Sequence, residues 1–225
     1  MLRKAFHATL PVLAGYLVLG AAFGVLMSGA GYAPWFTSLM SLIVYAGSLQ
    51  FAAVSLLTGG VSLLSAGVTA LSVNARHLFY GISMAERYSG AGRCKPYLIF
   101  ALTDETYSLV SQAHPDLSPE EELRFCLRVS LLDHCYWVTG SALGAMAGSM
   151  LGINTAGFEF ALTALFLTVV IDQWIDTPKE HSASLAGIGI TLACLLLFGR
   201  GSFLLIAMPL IILFLILRAR GGRKA

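Results

Sequence analysis

Apolar residues along the chain fall in blocks near 20 long, separated by short polar or glycine-containing connections. A block of about 20 residues crosses about 30 Å of hydrocarbon as an α-helix. The pattern predicts spans at 9–30, 35–57, 61–84, 97–112, 125–151, 157–175, 183–199 and 202–217. It therefore predicts an all-α, polytopic membrane bundle of about eight helices, seven if one block fails to cross, with breaks where polar groups fall near the midplane. Connections such as "GYAP" (31–34) and "TGG" (58–60) are short enough to make neighbouring helices antiparallel. No linker or change of composition parts the chain, so residues 1–225 read as one transmembrane domain.

Composition agrees with the lipid-facing reading. Hydrophobic residues make up 57% and charged residues 12% of the chain, against roughly 25% charged in an ordinary soluble domain. So few charges could not cover a water-facing surface. The basic start of the chain and the small residues near position 30 have the look of a secretory signal. The apolar run at 9–30, however, outlasts the roughly 7–15 residues of a signal core, and further spans follow, so it reads as a retained first helix. Ser118, ahead of "PEEE", is placed as an N-cap with acids in the first turn that follows.

Lysine and arginine near span ends set orientation. Arg3 and Lys4 precede the first span, and Arg218, Arg220, Arg223 and Lys224 follow the last. Both ends then face the cytoplasm, which suits an even number of crossings. The loop at 85–95, with Arg87, Arg93 and Lys95, conflicts with this, because eight full crossings put it outside.

Small residues predict how helices meet. Gly140, Gly144, Gly148 and Gly152 recur every four residues, and Gly20, Gly24 and Ser28 repeat the spacing on the first span. Such ridges let backbones approach closely where lipid provides no hydrophobic drive. They suit a tightly packed bundle and a partner subunit equally.

The candidate chemistry lies in polar groups placed in apolar blocks. A charge inside the membrane costs about 2.5–3.5 kcal/mol on insertion scales, so each one asks for a reason. "LSVNARHLFYGISM" (71–84) carries Asn74, Arg76 and His77; on a helix Asn74 and His77 share one face, Arg76 and Tyr80 another. "LTDETYSL" (102–109) carries Asp104 and Glu105, natural partners for Arg76 and for His77. "YAGSLQF" (45–51) puts Gly47, Ser48 and Gln50 mid-span, where glycine permits a break that exposes backbone groups. His77 or an acid of the pair is suited to carry a proton. Asp133 and His134 in the fifth span, and Glu159, Asp172 and Asp176 around the sixth, read as interfacial, solvated groups.

Several classes are unsupported. No GxxxxGK[ST], HExxH or GxSxG occurs. Cys94, Cys126, Cys135 and Cys194 have no metal or disulfide spacing. Neither a metal nor a cofactor is indicated, and there is no basic patch for nucleic acid.

In order and spacing, "AGSLQFAAVSLL" (46–57), "NARHLFYGISM" (74–84) and "LTDETYSL" (102–109) resemble the blocks that mark the AzlC family of branched-chain amino acid exporters. "GFEFALTALFLTVV" (157–170) is similar to a later block of that family. Leu49 stands where the family often has a smaller residue, and Glu159 where it often has aspartate. The resemblance implies the large subunit of a two-component permease in the cytoplasmic membrane, working with a small AzlD-type subunit. It implies outward movement of branched-chain amino acids such as valine, and sometimes methionine; with no ATP-hydrolysing motif in the sequence, the transport reads as secondary and driven by protons. On it, Gly47, Ser48, Gln50, Asn74, Arg76 and Asp104 become candidates for substrate binding, and His77 and Glu105 for proton coupling. A membrane-embedded enzyme, or a structural subunit whose charges only fix packing, remain the alternatives.

Overall fold

A computed structural model describes residues 1–112, 117–152, 167, 171, 174–175, 181–199 and 203–222. These residues are helical throughout their regular elements, as the apolar blocks require. They form two compact units, residues 1–60 with 73–158 and residues 61–72 with 159–225.

The first unit is built on two long helices, α1 (Leu2–Gly29) and α7 (Pro119–Leu151). At 28 and 33 residues they measure about 42 and 50 Å. They run side by side in the same direction. Ala5 lies in one apolar cluster with Phe125 and Val129, the Thr9 and Tyr136 hydroxyls are 3.2 Å apart, and Gly148 meets Ser28. Between these points the glycine ridges face each other. A Cβ on Gly20 would come within 3.0 Å of Ser141 N, and one on Gly140 within 2.8 Å of Tyr16 O. One on Gly24 would overlap the backbone of Ser141 and Ala145, and one on Gly144 that of Ala21. The seam is backbone against backbone, and here both ridges are used inside the chain.

Two expected spans are not straight crossings. Block 35–57 is α2 (Pro34–Ile43) and α3 (Gly47–Thr58). Gln50 Nε2 donates to Ser41 Oγ at 2.9 Å. A straight helix would hold residues nine apart about 13 Å from each other, so the chain folds back at 44–46. Block 97–112 is likewise α5 (Lys95–Phe100) and α6 (Asp104–Val110), turning at 101–103. Lys95 Nζ donates to Ala85 O, while Arg87 donates to Ser111 O at 2.9 Å, so both ends of this hairpin return to one level.

The hairpins enter from opposite ends. The first starts beside the C-terminus of α1 and descends to Trp137. The second starts at the end that holds Ala5, Tyr88 and Phe125, and rises to Tyr16. Tyr16 is midway along α1 and its ring lies 5.3 Å from Trp137, so the two tips meet at mid-depth. α4 (Leu63–Met84) brings Arg76 to that level and ends at Met84 in the cluster with Ala5. The loop at 85–95 therefore lies at the same end of this unit as Arg3 and Lys4, and the conflict over its charges disappears. The breaks themselves are visible in the backbone: Tyr45 takes φ 39° at the first tip, and at the second Thr103 caps α6 with its hydroxyl.

α7 starts earlier than expected, with its first two turns beyond the apolar block. Ser118 and Glu121 form a reciprocal capping box behind Pro119, as the sequence predicts. The Ser118 N–H and hydroxyl hold the Glu121 carboxyl below its ordinary pKa. Arg87 pairs with Glu122 and closes the loop onto this turn. Gly152 ends the helix in the left-handed conformation at φ 57°.

In the second unit α8 (His181–Phe198) packs against α9 (Phe203–Gly222). Leu196 and Leu197 are exposed, which suits lipid. Among the described residues, α1 and α8 are long and apolar enough to cross a membrane unaided. The four cysteines are free thiols. Most of the expected span at 157–175, with Glu159, Asp172 and Asp176, lies outside the described residues, as do Arg223 and Lys224.

Candidate functional site

The hairpin tips carry the predicted polar blocks. α3 begins at Gly47 and α6 at Asp104, so both tips present helix N-termini, whose free N–H groups favour negative charge. Arg76 lies across them. Its guanidinium holds Asp104 Oδ2 at 2.6 Å and donates to Ser48 Oγ at 2.5 Å. Tyr80, one turn on, donates to Asp104 Oδ1 at 2.7 Å. Thus Arg76 and Tyr80 act from one face of α4, as the spacing predicts, and the first hairpin is joined to the second through one cation. Arg76 and Asp104 are 32% and 39% exposed, so the pair is reachable from outside the unit. Arg76 Nε and Asn74 Oδ1 are buried with no hydrogen-bond partner among the described residues.

Gly47 and Gln50 serve the bend itself. A Cβ on Gly47 would come 3.1 Å from the Trp137 ring. Gln50 is fully buried, and its Oε1 accepts from Trp137 Nε1 at 2.8 Å and from the Ala46 N–H at 3.3 Å. With one Nε2 hydrogen on Ser41, three of the amide's hydrogen-bonding positions hold the hairpin closed, and Gln50 braces the tip. Tyr45 keeps its left-handed backbone under a ring stacked on His134 at 4.1 Å.

The remaining predicted residues divide. His77 stands edge-on to Tyr80 at 5.8 Å and is not joined to Asp104 or Glu105 by a hydrogen bond. Glu105 turns away from Arg76 and accepts from the Tyr16 hydroxyl at 2.7 Å. Asp133 and His134 correct the sequence reading: both are buried, not interfacial. Asp133 Oδ2 accepts from Thr106 Oγ1 at 2.9 Å, and His134 Nδ1 lies 3.2 Å from the Tyr97 hydroxyl. Asp133 is the ninth residue of the block that starts at Phe125, and that depth is the available signal. Tyr16, Thr103, Thr106 and Trp137 were not singled out, since hydroxyls and indoles are ordinary in membrane helices.

The arrangement offers a half-buried cation and anion side by side, at the starts of α3 and α6. It suits a zwitterion that exchanges its own carboxylate and ammonium for the internal pair.

Comparisons with known proteins agree in direction. The AzlC protein family matches residues 11–151. The chain is 41% identical over 206 residues to a Bacillus subtilis protein named branched-chain amino acid transport protein AzlC, covering 92% of this chain and 80% of that one. It is 40% identical over 215 residues to a membrane protein of Helicobacter pylori that has no assigned role, covering 96% and 93%. It is 28% identical over 169 residues to the Escherichia coli inner membrane protein YgaZ, covering 72% and 69%. No solved structure matches the chain.

Proposed function

The chain belongs to the AzlC family of membrane transport proteins, and on that footing we propose that it exports branched-chain amino acids, valine foremost and methionine with it. The observation that carries this reading is the Arg76–Asp104 pair held at mid-depth between two opposed hairpin tips. A substrate carboxylate replaces Asp104 in the Arg76 fork, and its ammonium is received by Asp104. Because the hairpins open toward opposite ends, loosening one tip exposes the site to one side of the membrane at a time.

We assign the end with Arg3, Lys4, Arg87, Arg93 and Lys95 to the cytoplasm on the positive-inside rule. The proposed setting is the cytoplasmic membrane, with a small AzlD-type subunit as partner. Protons drive the export. Their entry into the first unit is assigned to Glu105, whose carboxylate is exposed and tied to Tyr16.

The test is efflux of preloaded labelled valine from vesicles containing the chain, with and without the partner subunit. Wild-type efflux is expected to need the partner and to fall with an uncoupler, and Arg76→Ala to abolish it. No valine movement from a folded, assembled complex would remove the substrate assignment. The pairing of Arg76 with Asp104 and Ser48 also suits a purely architectural role; under that reading Arg76→Asp combined with Asp104→Arg restores full activity, whereas a binding role leaves it inactive.

A further inference from the structure

A second set of polar groups runs behind the Arg76–Asp104 pair, inside the first unit. Glu105 Oε2 lies 2.7 Å from the Tyr16 hydroxyl. Tyr16 is 2.6 Å from Thr103 Oγ1, Thr103 Oγ1 is 3.1 Å from Thr106 Oγ1, and Thr106 Oγ1 is 2.9 Å from Asp133 Oδ2. Three hydroxyls thus connect an exposed carboxyl on α6 to a fully buried one on α7.

Hydrogen counting decides the state of this chain. Four oxygen–oxygen links need four hydrogens, and Tyr16, Thr103 and Thr106 supply three. With both carboxyls ionised, one link would set two lone pairs face to face. The fourth hydrogen must belong to Glu105 or to Asp133. The Asp133 end suits it at rest: Oδ1 is buried with no hydrogen-bond partner, so a carboxylate there would keep a single donor in a low dielectric. The ionisable groups around Asp133 are Glu105 from α6, Tyr45 from the first tip, Tyr97 from α5 and its neighbour His134. Among the described residues no cation pairs with it.

We propose that Asp133 is a buried proton-binding site and that Tyr16, Thr103 and Thr106 form a hydroxyl wire by which Glu105 and Asp133 share one proton. Transfer is balanced. In one state the Asp133 carboxylic acid donates to Thr106, Thr106 to Thr103, Thr103 to Tyr16 and Tyr16 to the Glu105 carboxylate. Each donor passes its hydrogen to the next oxygen, four O–H bonds break and four form, and the negative charge moves from Glu105 to Asp133 while every hydroxyl stays neutral. Its use in transport rests on the exporter reading; the shared proton does not.

Infrared difference spectroscopy on the full chain near neutral pH tests the sharing without any substrate. One protonated-carboxyl C=O band is expected in the wild type. Asp133→Asn and Glu105→Gln should each abolish it, because an amide N–H₂ supplies the fourth hydrogen from either end. A band lost in Asp133→Asn but unchanged in Glu105→Gln would mean an isolated buried acid and overturn the wire; so would the absence of any band in the wild type. In vesicles, valine-driven proton movement should fall at least ten-fold in Thr106→Val and stay within two-fold of wild type in Thr106→Ser. Wild-type proton movement in Thr106→Val overturns the proposal. If the wild type moves no valine yet shows the infrared pattern, the exporter reading fails and the shared proton stands.

Discussion

Replacing Gln50 by leucine tests what closes the first hairpin. The two side chains are close in volume, so the change leaves packing nearly intact and removes an amide. It strands two buried donors, the Ala46 N–H and Trp137 Nε1–H, that now reach Oε1 at 3.3 and 2.8 Å. Each orphaned buried donor costs about 1–3 kcal/mol. Ser41 loses a donor but keeps its own hydroxyl hydrogen, and the leucine recovers some apolar contact, so we expect a net loss of about 2–4 kcal/mol. At about 2–4 °C per kcal/mol for a chain of this size, thermal unfolding in detergent should shift down by about 5–15 °C at a fixed scan rate. Trp137→Phe removes one of the two donors in advance. In that background Gln50→Leu should cost about 1–2 kcal/mol less. Melting of Gln50→Leu within about 2 °C of wild type, or strict additivity with Trp137→Phe, would show that the amide does not hold the bend.

Other outcomes follow from the same geometry. Gly24→Ala should cost about 3 kcal/mol or more, because its Cβ overlaps the backbone of Ser141 and Ala145. Gly15→Ala, with nothing within 4 Å of its Cβ, should be neutral or up to about 1 kcal/mol stabilising; comparing the two melting temperatures checks the seam. Ser118→Ala should lower stability by about 1 kcal/mol at neutral pH through loss of the helix cap. Because the Glu121 carboxyl is held below its ordinary pKa, its contribution is present above that ordinary value and disappears as pH falls through the lowered one. The gap between Ser118→Ala and wild type should therefore narrow in acid, as melting curves at pH 7 and pH 3 would reveal.

Much of the fold is legible in the sequence because hydrocarbon imposes one length on every crossing. That rule also marks its own exceptions. Block 97–112 is short and polar at its centre, and its polar "TDE" is the cap and first turn of α6. Block 35–57 is long enough to cross, and only Gly47 and Gln50 betray the fold-back, which a bond to Ser41 nine residues away completes. The Arg76–Asp104 pair was readable from charge, since neither group tolerates lipid alone. Glu105 was not: its adjacency to Asp104 suggests a common partner, yet consecutive residues at a helix start point in different directions, and Tyr16 receives it. Asp133 and the threonines were hidden because their meaning is tertiary. A threonine in a membrane helix usually satisfies its own backbone, and the three hydroxyls line up only when α1 and the start of α6 set them end to end against Asp133 of α7.

The glycine seam between α1 and α7 separates what can move from what cannot. Side chains that interdigitate can change rotamer and let one helix slip past another. Backbone pressed on backbone has no rotamers to change, so sliding α1 along α7 would force Cα atoms and carbonyls through one another. The seam is a stator. The hairpins rest on it through side chains instead, among them the polar contacts of Gln50 with Trp137 and Thr106 with Asp133. Residue size thus divides the first unit into a backbone-packed spine and two side-chain-held hairpins.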